Sequence, residues 1–462
     1  MQFTFLGRRL TMQETFLKWV CPMTLAVRAV FSVMAYLGVV IAPLVFAAIG
    51  GSRPALGFWT NFSVALGFVG LAMMGLEFVL VARFEATAAP FGQDALLQFH
   101  RQFGYVGLGF VLLHVALSAD WRELWAKVTF SPDTASTPAL VMLGSLAVLA
   151  LFALVVTSVW RRQLRISYEW WHAIHTVLAV AAVVGALVHV YLVDGYMNAP
   201  WKRVLWGLLS AAFLGLLGWV RLVKPRVMTR RPWHIERVTD ERGQTTTLAL
   251  KPPDGLDFRF EPGQFAWFAM GRSPFSLTMH PFSFSSSAER TEVEIAVKAL
   301  GDFTSAVHRL NPGTTVYVDG PHGVFSMDRD EGPGFGFIAG GVGIAGLISM
   351  LRTMADRRDV RQAVLVYANA DWEGVAFREE IERLRSQINL SVVHVLTRPP
   401  ADWAGETGFV RADLLARHLP PGYRRFQFFI CGPAPMMDAA ERALAELGVP
   451  DARIHTERFD MV

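Results

Sequence analysis

The chain has 462 residues, 53% of them hydrophobic, with 43 Lys and Arg against 39 Asp and Glu for a net charge of +4. That length exceeds one ordinary domain, and two cysteines, Cys21 and Cys431, exclude a disulfide framework. A nucleic-acid partner is not expected, because the basic residues gather beside long apolar runs, where they read as an orientation signal.

Residues 1–26 are basic but lack a compact apolar stretch followed by a small-residue cleavage site, so they read as a cytoplasmic segment and not as a cleaved signal peptide. Residues 27–222 hold six apolar runs, at roughly 27–50, 60–82, 96–118, 138–160, 169–193 and 202–222, each long enough to cross a bilayer as a helix. Arg8, Arg9 and Lys18 precede the first run and Arg83 follows the second. Arg161, Arg162 and Arg165 follow the fourth, and Arg221, Lys224, Arg226, Arg230 and Arg231 the sixth. The alternate connections hold Arg53, then Arg122 and Lys127 among Asp120, Glu123 and Asp133, then Asp194. The positive-inside rule therefore puts both termini in the cytoplasm.

Span three carries His100 and His114, and span five repeats the spacing with His175 and His189. Fourteen residues of helix cover about 21 Å, nearly four turns, so each pair falls near one helix face with one member toward each side of the bilayer. Both spans run outward, which matches His100 with His175 near the cytoplasm and His114 with His189 near the outer face. Two bis-histidine sites at two depths suit two stacked haems, whose closed, low-spin iron serves electron transfer. His172, three residues before His175, can take its place as the inner ligand. Interhelical polar contacts or a proton relay are the other readings of membrane histidines. Arg101 and Glu77 sit near inner helix ends, where snorkelling explains them.

Residues 223–232 read as a linker. From 233 to 331 short alternating segments, IERVTD, TTTLALKP, QFAWFAM and EVEIAVKAL, read as strands of a small antiparallel β-barrel. HPFSFSSS, from His280 to Ser287, supplies several hydroxyls, and Gly301 and Thr304 open a helix where a phosphate can bind. From 332 to 462 strands and helices alternate. Gly341, Gly343 and Gly346 form G-x-G-x-x-G between the strand FGFIA and a helical run, the context that a parallel α/β nucleotide-binding domain requires. Cys431, Gly432 and Pro433 end a later strand.

These motifs together resemble the NADPH oxidase and ferric reductase family in its bacterial-type form, over nearly the whole chain from about residue 27. The resemblance implies a six-helix di-haem membrane domain fused to a ferredoxin–NADP reductase-like module. His100, His114, His175 and His189 would ligate two b-type haems. HPFS resembles the family's flavin motif, which implicates His280, Pro281, Phe282 and Ser283 in holding FAD. GDFT resembles its second flavin-phosphate loop, with Gly301 and Thr304. GGVGIAG, with Gly341 and Gly343, resembles the pyridine-nucleotide loop, and CGP the nicotinamide-side loop, with Cys431 beside the reaction. Phe459 resembles the aromatic residue that shields the flavin, although Asp460, Met461 and Val462 follow it. Thr397 and Arg398 resemble a pair that holds a 2′-phosphate and imply NADPH as donor, with NADH the alternative that Asp371 favours.

The expected activity is electron transfer from cytoplasmic NAD(P)H through FAD and two haems to an acceptor outside the membrane. Oxygen, giving superoxide, is the first expectation, because the outer connections hold no His, Cys or carboxylate cluster suited to binding metal. A ferric chelate is the alternative, a quinone or periplasmic redox partner another, and a non-enzymatic proton channel or haem sensor the reading from a different class. No obligatory protein partner is expected.

Overall fold

The computed structural model describes residues 4–5, 8–9, 25–49, 57–83, 91–118, 137–193, 197, 199–276 and 279–458. The chain divides into two compact units, Met1–Val223 and Lys224–Val462.

Among the described residues the first unit holds six long helices. They are α1 (Leu25–Ala48), α2 (Phe58–Val81), α3 (Gln93–Ser118), α4 (Thr137–Val159), α5 (Tyr168–Leu192) and α6 (Pro200–Gly218), the last running into a π-helical turn at Trp219–Val223. Five of them are long and apolar enough to cross a membrane. The exception is α3, which has sufficient length at 26 residues but starts with Gln93, Asp94, Gln98, His100, Arg101 and Gln102. Those polar residues interrupt the apolar run expected there. Val30, Phe31, Leu149 and Leu208 are exposed on the helix surfaces, an arrangement unfavourable in water and ordinary against lipid.

Small residues let the helices approach closely. A Cβ on Gly70 of α2 would stand 3.1 Å from Val111 and 3.4 Å from the Gly107 carbonyl of α3. On α5 the same construction at Gly185 meets Ala147 of α4 at 3.2 Å. Two antiparallel hairpins result, α2 with α3 and α4 with α5, and Val111, Leu151 and Ala182 join them in one apolar cluster. At α5 the Ser167 hydroxyl accepts from the Trp170 N–H at 3.4 Å and Glu169 lies in the first turn, which suits a helix N-terminus.

The second unit opens with a short helix, α7 (Lys224–Thr229), and then builds two sheets. The first contains β1 (Trp233–Glu241), β2 (Thr245–Lys251), β3 (Phe265–Met270), β4 (His280–Ser283), β5 (Val293–Lys298) and β6 (Thr315–His322) in the antiparallel order β4-β3-β6-β1-β2-β5. A bridge between Phe284 and Ile295, beside a 2.7 Å bond from the Ser285 N–H to the Glu294 carbonyl, brings the two edges of the sheet together. Alternate residues such as Val293, Ile295 and Val297 point inward onto Leu248, Leu250 and Phe284. A five-residue helix, α8 (Asp302–Ala306), follows β5.

The second sheet contains β7 (Gly334–Gly340), β8 (Gln362–Asn369), β9 (Leu390–Leu396), β10 (Glu406–Thr407), β11 (Gln427–Cys431) and β12 (Ile454–Glu457), all parallel, in the order β10-β9-β8-β7-β11-β12. Strands such as GFGFIAG and QFFIC are buried throughout, as a parallel sheet covered on both faces demands. Helix α9 (Ile344–Asp356) covers one face, with α10 (Arg378–Arg385), and α11 (Ala412–His418) and α12 (Ala434–Glu446) cover the other. Strand order reverses between β7 and β11, the switch point at which open α/β sheets bind ligands at their carboxyl ends.

Candidate functional site

In the first unit, α2 presents Ser63 and Glu77, fourteen residues apart, to His114 and His100 of α3. The His100 Nδ1–H donates to Glu77 Oε2 at 2.6 Å. At the other end the His114 Nδ1–H donates to the Ser63 carbonyl at 2.9 Å, and the Ser63 hydroxyl returns a bond to the His114 carbonyl at 2.8 Å. The second hairpin repeats the scheme with Gly144 and Ser158 of α4, again fourteen residues apart, against His189 and His175 of α5. Ser158 gives its single hydrogen to the Leu154 carbonyl at 2.7 Å and accepts from Trp171 Nε1 at 3.3 Å. Its contact with His175 Nδ1 at 3.1 Å therefore has the ring as donor. His189 lies so close to Gly144 that a Cβ there would stand 3.0 Å from the ring, and His114 bears on Gly67 in the same way at 3.1 Å.

Three rings thus carry their proton on Nδ1, which leaves Nε2 as the basic nitrogen of each. The centres of the His100 and His175 rings are 6.2 Å apart. Two imidazoles that coordinate one metal ion from opposite sides, each at roughly 2 Å, would put their ring centres about 6 Å apart. His172 instead lies beside Tyr168 and Trp171, at 6.0 and 6.3 Å between ring centres, and its Nδ1 is buried without a hydrogen-bond partner among the described residues. These donors fit bis-imidazole ligation at the His100–His175 level.

In the second unit, the strand that carries His280, Pro281, Phe282 and Ser283 pairs with β3. Phe303, from the loop with Gly301 and Thr304, stacks on the His280 ring at 3.8 Å and reaches Phe282 at 6.5 Å. The two flavin-like segments are therefore brought together. Ser286 and Ser287 spend their hydroxyls on the N–H groups of Glu294 and Glu289. The Ser283 hydroxyl is buried with no hydrogen-bond partner among the described residues, and so fits a polar ligand. Thr304 is differently placed: its hydroxyl accepts from the N–H groups of Leu300 and Gly301, both at 2.9 Å, and donates to the Gly301 carbonyl at 3.1 Å. It holds its own loop in shape.

At the switch point the glycine loop after β7 meets the loop after β11. A Cβ on Gly340 would collide with Met436 and Pro433, and one on Gly432 with Gly340 itself. Gly341 adopts φ +53°, and its carbonyl accepts from the Tyr367 hydroxyl at 3.0 Å. The Cys431 thiol is buried between these loops, and burial, reinforced by the Glu457 charge, pushes its pKa up. It is a neutral thiol at physiological pH. Beyond β8 and β9, Arg398 pairs with Asp371 at 3.0 Å, and the Thr397 hydroxyl reaches the Ala370 carbonyl at 3.4 Å. Phe459 lies outside the described residues.

Three family models match successive segments. "Ferric reductase like transmembrane component" matches residues 66–186, "FAD-binding domain" residues 237–326, and "Oxidoreductase NAD-binding domain" residues 337–442. The chain has the domain architecture of the NADPH oxidase and ferric reductase family. The last of the three models describes an oxidoreductase domain. NADH-cytochrome b5 reductase 1 from Aspergillus terreus is 30% identical over 187 residues, 38% of this chain and 63% of that protein. Its counterpart from Pyricularia oryzae is 31% identical over 176 residues, 37% of this chain and 57% of that protein. The chain thus spans about six tenths of the length of these relatives. The FAD/NAD-binding domain of nitric oxide dioxygenase from Vibrio cholerae is similar at 25% identity and TM-score 0.45, covering 50% of this chain and 98% of that one.

Within this ferric reductase-like architecture, several residues near the site carry no motif. Ser63 and Ser158 are ordinary helix serines, and Glu77 reads from sequence as a snorkelling side chain. Their signal was available, since 63 and 77, and 144 and 158, repeat the spacing of the histidines they face. Lys298 is a second addition. It leaves the barrel sheet with Nζ 3.7 Å from where a Cβ on Gly341 would stand, next to the phosphate-type loop.

Proposed function

We propose that the chain carries electrons from NAD(P)H across a membrane to an acceptor on its other side, using FAD and two b-type haems. The carrying observation is the set of Nδ1-protonated rings with His100 and His175 at 6.2 Å. His100 with His175 would hold one haem and His114 with His189 the other, with α3 as the sixth span and both termini cytoplasmic. Bound FAD would take a hydride from the nicotinamide and the haems would pass electrons on singly. The chain's own work is positional. Ser283 and the His280–Phe303 stack support the FAD site, and Phe459 is assigned to cover it. Gly341, Gly343 and Gly432 let two loops approach a dinucleotide, with Lys298 beside its phosphates and Cys431 walling the nicotinamide side.

Oxygen is the proposed acceptor, each NADPH giving two superoxide ions, NADP⁺ and one proton. A ferric chelate is the alternative on the same path. NADPH is the proposed donor, since Arg398 supplies a guanidinium for a 2′-phosphate, and NADH the alternative. The test uses purified full chain in detergent with NADPH. Cytochrome c reduction abolished by superoxide dismutase identifies the oxidase, and ferrozine colour that survives dismutase identifies the ferric reductase. No NAD(P)H consumption with either acceptor overturns both.

A further inference from the structure

Glu77 is a carboxylate inside the membrane unit, 7% exposed, with one oxygen on His100 and the other, Oε1, buried without a hydrogen-bond partner among the described residues. Tyr36 of α1 has its hydroxyl also buried and unpartnered among the described residues. The Tyr36 ring sits edge-on to the stacked rings of Phe99 and Phe103, at 5.3 and 5.7 Å. A buried carboxylate with a single partner is costly to keep in an apolar setting, and a neutral hydroxyl is sufficient to orient a ring, as Ser158 does for His175.

We infer that Glu77 is a positioning residue that lowers the reduction potential of the haem held by His100 and His175 below that of the haem held by His114 and His189. This rests on the di-haem reading. An imidazole that donates Nδ1–H to a carboxylate is a more basic ligand than one that donates to a neutral oxygen, and it favours the ferric state. The apolar surroundings leave the field of that carboxylate weakly screened. His114, by contrast, donates to the Ser63 backbone carbonyl. The gradient then runs downhill from the His100–His175 level to the His114–His189 level, so the direction of electron flow is set by the ligands' partners as well as by where the donor binds.

The test is a redox titration of the full chain with FAD and haems, followed optically and by the low-spin ferric signals in paramagnetic resonance. Wild type must first contain two haems per chain; fewer would defeat the di-haem reading itself, before any potentials are compared. Two titration components are expected. In Glu77→Gln with both haems kept, the lower component rises by about tenfold in its reduced-to-oxidised ratio, 59 mV for one electron, and the upper one stays. Both components unmoved, or the upper one shifted, overturns the inference. Should Glu77→Gln shed one haem, the survivor titrates at the higher wild-type potential if the inference holds and at the lower if it does not. His114→Ala supplies an independent arm. Its remaining haem sits at the lower potential, and the higher value there overturns the inference.

Discussion

The carbonyl of Cys431 occupies the space that a side chain on Gly343 would need. A Cβ built at Gly343 meets that oxygen and the following Gly432 nitrogen well inside contact distance. Backbone on both sides means that nothing flexible can yield. Gly343→Ala is therefore expected to prise the two loops apart, at about 1–3 kcal/mol for an overpacked position. NAD(P)H oxidation falls at least tenfold while haem content stays at the wild-type level, which steady-state kinetics and a haemochrome assay measure together.

His175 and His172 compete on paper for one role, and their surroundings separate them. His175 has its Nδ1 committed to Ser158 and its ring opposite His100. His172 lies among Tyr168 and Trp171. His175→Ala should lose one haem of two, and His172→Ala should keep both. The reverse pattern in the haemochrome assay would sink the assignment of His175.

Gly144 and Gly67 give His189 and His114 room. Replacing Gly144 with Val puts methyl groups where the His189 ring lies, and a ring cannot retreat within a packed hairpin. The expected result is loss of the His114–His189 haem with the other retained, read from the optical spectrum and the remaining titration component.

Arg398 is exposed and paired with Asp371. A surface ion pair contributes up to about 1 kcal/mol, less than a charged hydrogen bond to phosphate at roughly 1.5–3 kcal/mol, so a 2′-phosphate displaces the carboxylate. Arg398→Ala is expected to raise KM for NADPH about tenfold and leave that for NADH within twofold. Asp371→Asn shifts preference further toward NADPH. Equal effects on the two nucleotides would remove Arg398 from the binding site.

His394 on β9 has both ring nitrogens buried without hydrogen-bond partners among the described residues. Burial lowers its pKa, Arg378 and Arg385 add to that, and Glu382 opposes it. Burial lowers the pKa of His455 as well. The unfolded chain takes up protons near pH 6.5 while the folded one stays neutral, so stability is full above that value and falls as pH drops below it. Melting of the full chain, followed by flavin fluorescence, should occur at a lower temperature at pH 5.5 than at pH 7.5. His394→Leu should flatten that dependence.

The histidine spacing and the glycine loops were legible as patterns because each repeats fixed residue types at fixed intervals. The partners were not, because a serine or a glutamate in an apolar helix looks alike whether it faces lipid headgroups or a histidine. Glu77 is the clearest case: only the register of α2 against α3 brings it to His100. Thr304 shows what sequence cannot display, since a hydroxyl near a helix start resembles a phosphate ligand and here also bonds to its own backbone. Asp371 and Arg398 read as opposed hints about the donor, and in the fold they are one ion pair. The third helix is legible from its apolar centre, while its polar first turns, part of the same helix, keep it out of the five that are apolar enough to cross a membrane.

The two hairpins have a consequence for assembly. Each supplies one histidine per level, so neither can complete a site alone, and a haem at either level would staple the hairpins together. Capture of the first haem would align the four helices and leave the remaining two imidazoles already facing one another at the other level. The second haem would then bind a finished pocket. Maturation should accordingly proceed from empty to fully loaded chains with few carrying a single haem, and a lesion at one level should slow loading of both.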